Sequence, residues 1–466
     1  MTSYRLSPPQ RYVWSQVAAP SIQCRVRPAS DVTPEALARA LATVVARHES
    51  LRSYLVPVAG LATPLQSVAE PDAPPPAEEP PVRAELLEDS VVVLAASSLF
   101  VDRRSLLVIA AELTALLAGD ELPEVELQYL DAAEWLSEQA EGADAKARME
   151  RWRQRELPAA AALSLPLDES PGPRATPGPG PGPGPGPGPG PGPEVEVEAT
   201  VDGDGLPAVP AVAAELGVSV AAVVLAATHL LLWRLTGADE IVTGVVCTTP
   251  GLDELADVVG PIELPVPVRT AFEPELRFDA VVRDLDRALA AAPAEQFSLD
   301  VTGDSVDLPV SFAATVLPAG YIERLDGARA GGLLHVDLVQ SVSGEPAVRI
   351  VGDPSRLVPA QVRRLARQLD SVLRAVAAAP GSALGDLGLA DDDEATRLVS
   401  LGIGATPPIQ GPELVHAAFE AHAGARPDAP AVSCAGAHLS YGAVERRANQ
   451  LAHALVARDV RRGTPV

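Results

Sequence analysis

The residues with the clearest capacity for chemistry sit together in Ala96-Ser97-Ser98-Leu99-Phe100-Val101-Asp102-Arg103-Arg104-Ser105. Three hydroxyls, one carboxylate and two guanidiniums fall within ten positions, and no imidazole is among them. The stretch follows a short apolar β-type run, Val91–Leu94, and precedes an amphipathic helical pattern from Leu106 to Leu117. A polar loop held between a buried strand and a helix has both ends fixed, which is what a reacting group needs. Serine is a weak nucleophile and a poor base at neutral pH unless a neighbouring base activates it. The loop therefore has the position of a site without a visible proton acceptor.

The elements around it follow from pattern. Thr33 followed by Pro34 predicts a helix start, with a hydroxyl cap and then proline in the first turn, running to about His48. Helices are also predicted after Pro8-Pro9, from Tyr129 to about Arg155, and over 206–216, 218–236, 278–291 and 359–378. Strands are predicted at 22–26, 53–56, 194–199, 240–247, 309–316 and 333–340. Residues 69–82 read as an irregular loop and 381–411 as a polar linker. Val218–Trp233 is nearly all apolar but shorter than the ~20 residues a membrane span needs, so it reads as a buried core helix. From Pro177 to Pro193 proline and glycine alternate strictly; a period of two excludes the collagen helix and predicts an extended connector.

Bulk composition narrows the function classes. The chain has 466 residues, 47% of them hydrophobic, enough for more than one core, and its net charge of -26 argues against nucleic-acid binding. Of the 36 basic residues only Lys146 is lysine, which reads as coding bias. Cys24, Cys247 and Cys434 lie far apart with no metal or disulfide spacing, and the N-terminus shows no apolar signal segment. The expectation is a cytoplasmic chain with no bound metal or cofactor, no membrane association and no nucleic-acid partner.

Several motifs then fall in one order. Leu6-Ser7-Pro8-Pro9-Gln10-Arg11-Tyr12-Val13-Trp14, Arg47-His48-Glu49-Ser50-Leu51-Arg52, Tyr129–Trp135 and Val259-Gly260-Pro261-Ile262 through Arg269 together resemble the motif series of a nonribosomal peptide synthetase condensation domain. The tail, with Val415–Glu420, Arg426–Val432 and Leu439–Ala452, is similar to the opening of an amino-acid adenylation domain.

The resemblance implies an α/β (α+β) fold of two chloramphenicol-acetyltransferase-like lobes facing one another across a channel. The lobes would span 1–170 and 194–380, joined by the Pro-Gly loop at 171–193. A linker at 381–412 and the start of an adenylation domain at 413–466 would follow. That domain's phosphate-binding loop and late lysine would lie beyond Val466, so its core here would be incomplete. The implied activity is amide formation between acyl and amine groups carried as thioesters on phosphopantetheine, with peptidyl carrier proteins and neighbouring synthetase domains as partners.

The family's loop reads His-His-x-x-x-Asp-Gly, with the second histidine beside the amine nucleophile. In register, Ser97 and Ser98 take the histidine positions, Asp102 the aspartate and Arg103 the glycine. Three readings follow: a condensation fold that has lost its chemistry, a heterocyclising relative using Asp102 and Ser105, or a different enzyme with Ser98 as nucleophile. The first is favoured. The heterocyclising motif lacks its first aspartate, replaced by Ser97, and no Gly-x-Ser-x-Gly elbow surrounds Ser98. Within the resemblance Asp102 is a structural carboxylate, and Arg269 is its expected partner. Arg103 and Arg104 are expected to obstruct the channel or lie at the surface. The family's Asn-Thr pair is replaced by Leu264-Pro265, and its Asp-x-Pro-Phe-Glu motif has become Ala294-Glu295-Gln296-Phe297-Ser298. Arg47-His48-Glu49 is given a structural role. His229 and His335, on apolar patterns, read as satisfied core or surface histidines.

Overall fold

The computed structural model describes residues 3–15, 21–29, 31–61, 63–71, 80–87, 90–143, 165, 197–247, 252–296, 308–318, 321–326, 332–341, 345–390, 392–403, 414–461 and 463–465. The Pro-Gly run lies outside them, as do Phe297-Ser298 and most of the helix continuation expected up to Arg155.

The first part of the chain runs β1 (Ser3–Arg5), α1 (Pro8–Ser15), β2 (Ser21–Val26), α2 (Pro34–Arg47), β3 (Ser53–Val56), β4 (Leu65–Val68), β5 (Val82–Leu86), β6 (Val92–Ser97), α3 (Arg103–Ala118) and α4 (Tyr129–Glu141). Thr33 caps α2 as its sequence predicts, its hydroxyl accepting from the Ala36 amide at 3.2 Å. The second part runs β7 (Val197–Val201), α5 (Gly205–Leu216), α6 (Val220–Thr236), β8 (Glu240–Val246), β9 (Pro265–Ala271), α7 (Phe278–Glu295), β10 (Val310–Leu317), β11 (Ile322–Asp326), β12 (Leu334–Ser341), β13 (Pro346–Gly352) and α8 (Pro359–Ala378).

The larger sheet has the order β7-β13-β12-β10-β8-β9, with β10 parallel to both β8 and β12 and the other pairs antiparallel. One face is apolar: Val310, Phe312, Leu334, Val336, Leu338, Val348 and Ile350 share a core with residues of α5, α6, α7 and α8. Helix α6 is buried along almost its whole length, because apolar residues surround it on all sides. Among the described residues no single helix is long and apolar enough to cross a membrane.

The smaller sheet has the order β11-β2-β6-β5 and packs its core against α2 and α3. It draws strands from both halves of the sequence. Strand β11 belongs to the second half of the sequence yet pairs antiparallel with β2, Leu325 opposite Cys24 and Asp326 opposite Gln23. Val259, Leu317 and Leu325 are buried in that same core. A three-stranded sheet, β1-β4-β3, completes this part.

The chain divides into two compact units, Met1–Asp393 and Glu394–Val466. The stretch expected as linker holds a helix, α9 (Asp392–Gly402). The second unit contains α10 (Val415–Ala425), the hairpin β14 (Pro430–Cys434) with β15 (Ala437–Ser440), and α11 (Tyr441–Val456). Ala435 and Gly436 turn the hairpin with positive φ, and Ser440 caps α11 by accepting from the Ala443 amide. Val415, Leu451 and Val456 are exposed.

Candidate functional site

Strand β6 delivers the loop because Val92 and Leu94 are fully buried in the smaller core. Helix α3 starts where Asp102 accepts from the Ser105 amide at 2.7 Å, an N-cap, and ends where Gly119 adopts the left-handed conformation. The other Asp102 oxygen accepts from the amides of Ile262 at 2.8 Å and Glu263 at 3.3 Å. Ser105 pins the same incoming segment, its hydroxyl donating to the Gly260 carbonyl and accepting from the Gly260 amide, both at 2.9 Å. The loop and the 256–263 segment are thereby one built unit.

Tyr129 lies across Gly260. A Cβ at that glycine would fall 2.0 Å from the tyrosine Cδ2, so only glycine lets the ring pack there. The Tyr129 hydroxyl donates to the Pro261 carbonyl at 3.0 Å and meets the Ser7 hydroxyl at 2.7 Å. Gln10 donates to the Leu99 carbonyl at 3.2 Å and to Gln66 Oε1 at 2.8 Å. Residues from three separate motifs thus converge on the loop. The Arg47-His48-Glu49 group stands apart: Glu112 accepts from Arg47 at 3.3 Å and contacts His48 Nε2 at 2.8 Å, tying α2 to α3.

Ser97 closes β6, its carbonyl accepting from the amides of Phe100 and Val101 at 3.0 Å. Ser98 is 5% exposed, and among the described residues its buried hydroxyl oxygen has no hydrogen-bond partner, a base included. His229 is fully buried, with Nδ1 2.8 Å from Thr270 Oγ1, and burial pushes its imidazole down to about 3. His335 Nδ1 meets Ser311 Oγ at 2.8 Å.

The expected Asp102–Arg269 pair does not exist. Arg269 lies on edge strand β9, is exposed, and pairs with Glu240 at 3.2 Å. Asp102 has no need of a cation, since three backbone N–H groups fill its two oxygens. The expectation for Arg103 is also corrected. It is 3% exposed and reaches the larger sheet, donating through Nη2 to Asp337 Oδ1 at 2.7 Å and Thr315 Oγ1 at 3.0 Å. Arg104 is half-buried and donates to the carbonyls of Ala256 and Val258, holding the segment that Asp102 and Ser105 also hold.

Two acidic residues escape the sequence reading. Asp337 is fully buried on β12 and also accepts from Arg349 at 3.1 Å. Burial disfavours its charge, yet Arg103, His335 and Arg349 hold it below the usual carboxylate range. Glu263 accepts from the Arg104 amide at 3.3 Å. Burial, together with the Asp102 charge, pushes its carboxyl up to about 8 against the pull of Arg103 and Arg104. Both interrupt apolar runs, Leu334–Val339 and Val258–Val268, and a carboxylate in such a run is the available signal. Among the described residues no group of three or more His, Cys, Asp or Glu could hold a metal ion.

A condensation-domain family model matches residues 77–305, a span containing the loop, Asp102, Gly260 and Glu263. Over that span the chain matches a condensation domain, and its relatives include synthases of which it covers only a small part. It is 28% identical over 271 residues to chondramide synthase cmdD of Chondromyces crocatus, covering 52% of this chain and 7% of that relative's length. Its fold matches the first condensation domain of the calcium-dependent antibiotic synthetase with a TM-score of 0.66 at 16% identity, covering 84% of this chain and 99% of that one. It also matches the X-domain in the complex of the X-domain and OxyB from teicoplanin biosynthesis, with a TM-score of 0.58 at 21% identity, covering 84% and 97% of the two chains.

Proposed function

We propose that this chain is a segment of a nonribosomal peptide synthetase module whose condensation domain keeps its architecture but is inactive or strongly impaired in forming amide bonds. One observation carries the reading: Ser98, in the register of the family's active histidine, has a buried hydroxyl with no hydrogen-bond partner among the described residues. Amide formation requires the attacking amine to lose a proton, and a positioned base of near-neutral pKa contributes typically 10²–10⁴-fold to such steps. Carrier-protein-bound thioesters remain the substrate class, and the tail at 413–466 is the beginning of an adenylation domain by its motifs.

The test loads donor and acceptor carrier proteins with acyl and aminoacyl groups and follows the amide by mass spectrometry, with Ser98→His in parallel. No product from the native chain and measurable product from the variant are expected. Turnover by the native chain at a rate the variant does not exceed would sink the reading.

A second reading, a non-catalytic platform that recruits a partner enzyme, is favoured by the match to the teicoplanin X-domain, which is known in complex with OxyB. Stable capture of a carrier protein or tailoring enzyme without turnover would favour it.

A further inference from the structure

The loop at 97–105 is held from two sides. On one side it is bonded to the 256–263 segment. Asp102 accepts from the Ile262 and Glu263 amides, Ser105 exchanges bonds with Gly260, and Arg104 reaches the carbonyls of Ala256 and Val258. On the other side Arg103 crosses to the middle of the larger sheet, donating through Nη2 to Asp337 on β12 and Thr315 on β10. With both holds in place Ser98, Leu99, Phe100 and Val101 are shut away from solvent.

The two holds differ in kind. Both Asp102 oxygens are filled in the first, whereas the second is incomplete. A guanidinium has five N–H donors. Arg103 Nε and Nη1 are buried with no partner among the described residues. A buried donor without an acceptor forfeits the hydrogen bonds it would make to water. The side chain is itself buried, so it regains them only if the loop and the larger sheet part. Asp337 does not depend on Arg103 alone, because Arg349 on β13 donates to its other oxygen at 3.1 Å. Parting would hydrate a guanidinium and leave the carboxylate with a cation. The open and closed states therefore lie closer in free energy than a saturated, isolated buried pair would allow.

We propose that the Arg103–Asp337 contact is a lock. It holds the 97–105 loop against the larger sheet and shuts Ser98 away from solvent; breaking it opens the loop locally without unfolding either sheet. The lock rests on the reading of this loop as the domain's site, and it adds restricted access to the missing base as a cause of impaired activity.

The test places a thiol at the closed position. In full-length Ser98→Cys, iodoacetamide labelling is followed by peptide mass spectrometry at the introduced thiol, Cys24 and Cys434. Cys434 is exposed and reports unrestricted labelling, while Cys24 is fully buried in the core of the smaller sheet and reports unfolding. With Arg103 in place the introduced thiol should react at least about tenfold more slowly than Cys434. Adding Arg103→Met, which keeps the hydrocarbon length and loses the ion pair, should raise its rate at least about tenfold while Cys24 stays protected. Asp337→Asn, which weakens the pair from the sheet side, should raise it at least about threefold. An introduced thiol as reactive as Cys434 from the start, or a rate that either substitution leaves unchanged, overturns the lock. A rise matched at Cys24 also overturns it, since the contact would then support the whole fold and not a local closure. Labelling reads closure and not turnover, so a failed lock leaves the missing-base reading standing, and amide formation by the native chain would sink that reading without touching the labelling result.

Discussion

Arg103 Nη2 lies 2.7 Å from Asp337 Oδ1, and both side chains are buried, one on the first turn of α3 and the other in the middle of β12. The pair joins the candidate loop to the larger sheet. Removing one partner from a buried pair strands the other charge and costs about 3–5 kcal/mol, whereas replacing both by apolar groups costs much less. Asp337→Leu alone should destabilise by about that amount. Arg103→Met with Asp337→Leu should recover most of the loss, measured by urea denaturation of the Met1–Asp393 unit's transition in the full chain.

Asp102 and Arg269 should behave as unrelated positions. Asp102→Ala removes an N-cap and leaves the amides of Ile262 and Glu263 without their acceptor, so a loss of about 2–4 kcal/mol is expected. Arg269→Ala removes only an exposed ion pair, worth about 0–1 kcal/mol. The double variant should show additive losses in a denaturant titration; a coupling above about 1 kcal/mol would restore the direct pairing.

Gly260→Ala forces a methyl into the Tyr129 ring and should cost about 2–4 kcal/mol, seen as a lowered Tm. Tyr129→Phe keeps the ring and loses the bonds to Ser7 and Pro261, costing about 1–2 kcal/mol. Gly260→Ala combined with Tyr129→Ala should cost less than the sum of the separate losses, because the clash no longer exists.

Stability should fall away on both sides of a pH optimum for identifiable reasons. Glu263 is held protonated up to about 8, against an ordinary value of 4.5. Between those values the folded chain binds the proton and the unfolded chain does not, so this contribution is present below pH 4.5 and is lost as pH rises through 8. His229, at about 3 against 6.5, acts at the other end: the unfolded chain takes up the proton first, so stability falls as pH drops below 6.5 toward 3. Glu263→Gln should flatten the alkaline side and His229→Phe the acid side of a Tm-against-pH curve.

Local signals in the sequence mark many elements and few of the partnerships between them. The Thr33-Pro34 start, the 359–378 helix and strand β12 are visible because caps and periodicity act over a few residues. Strand β9 is obscured by Pro265 and Pro267, which deny ladder donors; it survives as a strand by lying at the sheet edge. That the 96–105 loop holds serines and no histidine is plain from sequence. The destination of Arg103 is not, because Asp337 lies 234 residues away and the strand register alone brings them together. The Asp102–Arg269 expectation failed for the same reason: backbone amides, which carry no sequence signature, took the carboxylate first.

Strand β11 has a consequence for how the molecule is made. Its Glu323 meets Arg27 beside β2 across 296 residues of chain. During synthesis the smaller sheet emerges early with β2 as an open edge, and its final neighbour arrives only after most of the larger sheet has been translated. At about 5–20 residues per second that interval is roughly 15–60 seconds. For that time the unpaired backbone of Ser21–Val26 is a template that any extended segment could occupy. The first half of this chain, expressed alone, should accordingly aggregate or require a chaperone, and a separately supplied peptide spanning 321–326 should compete for its edge.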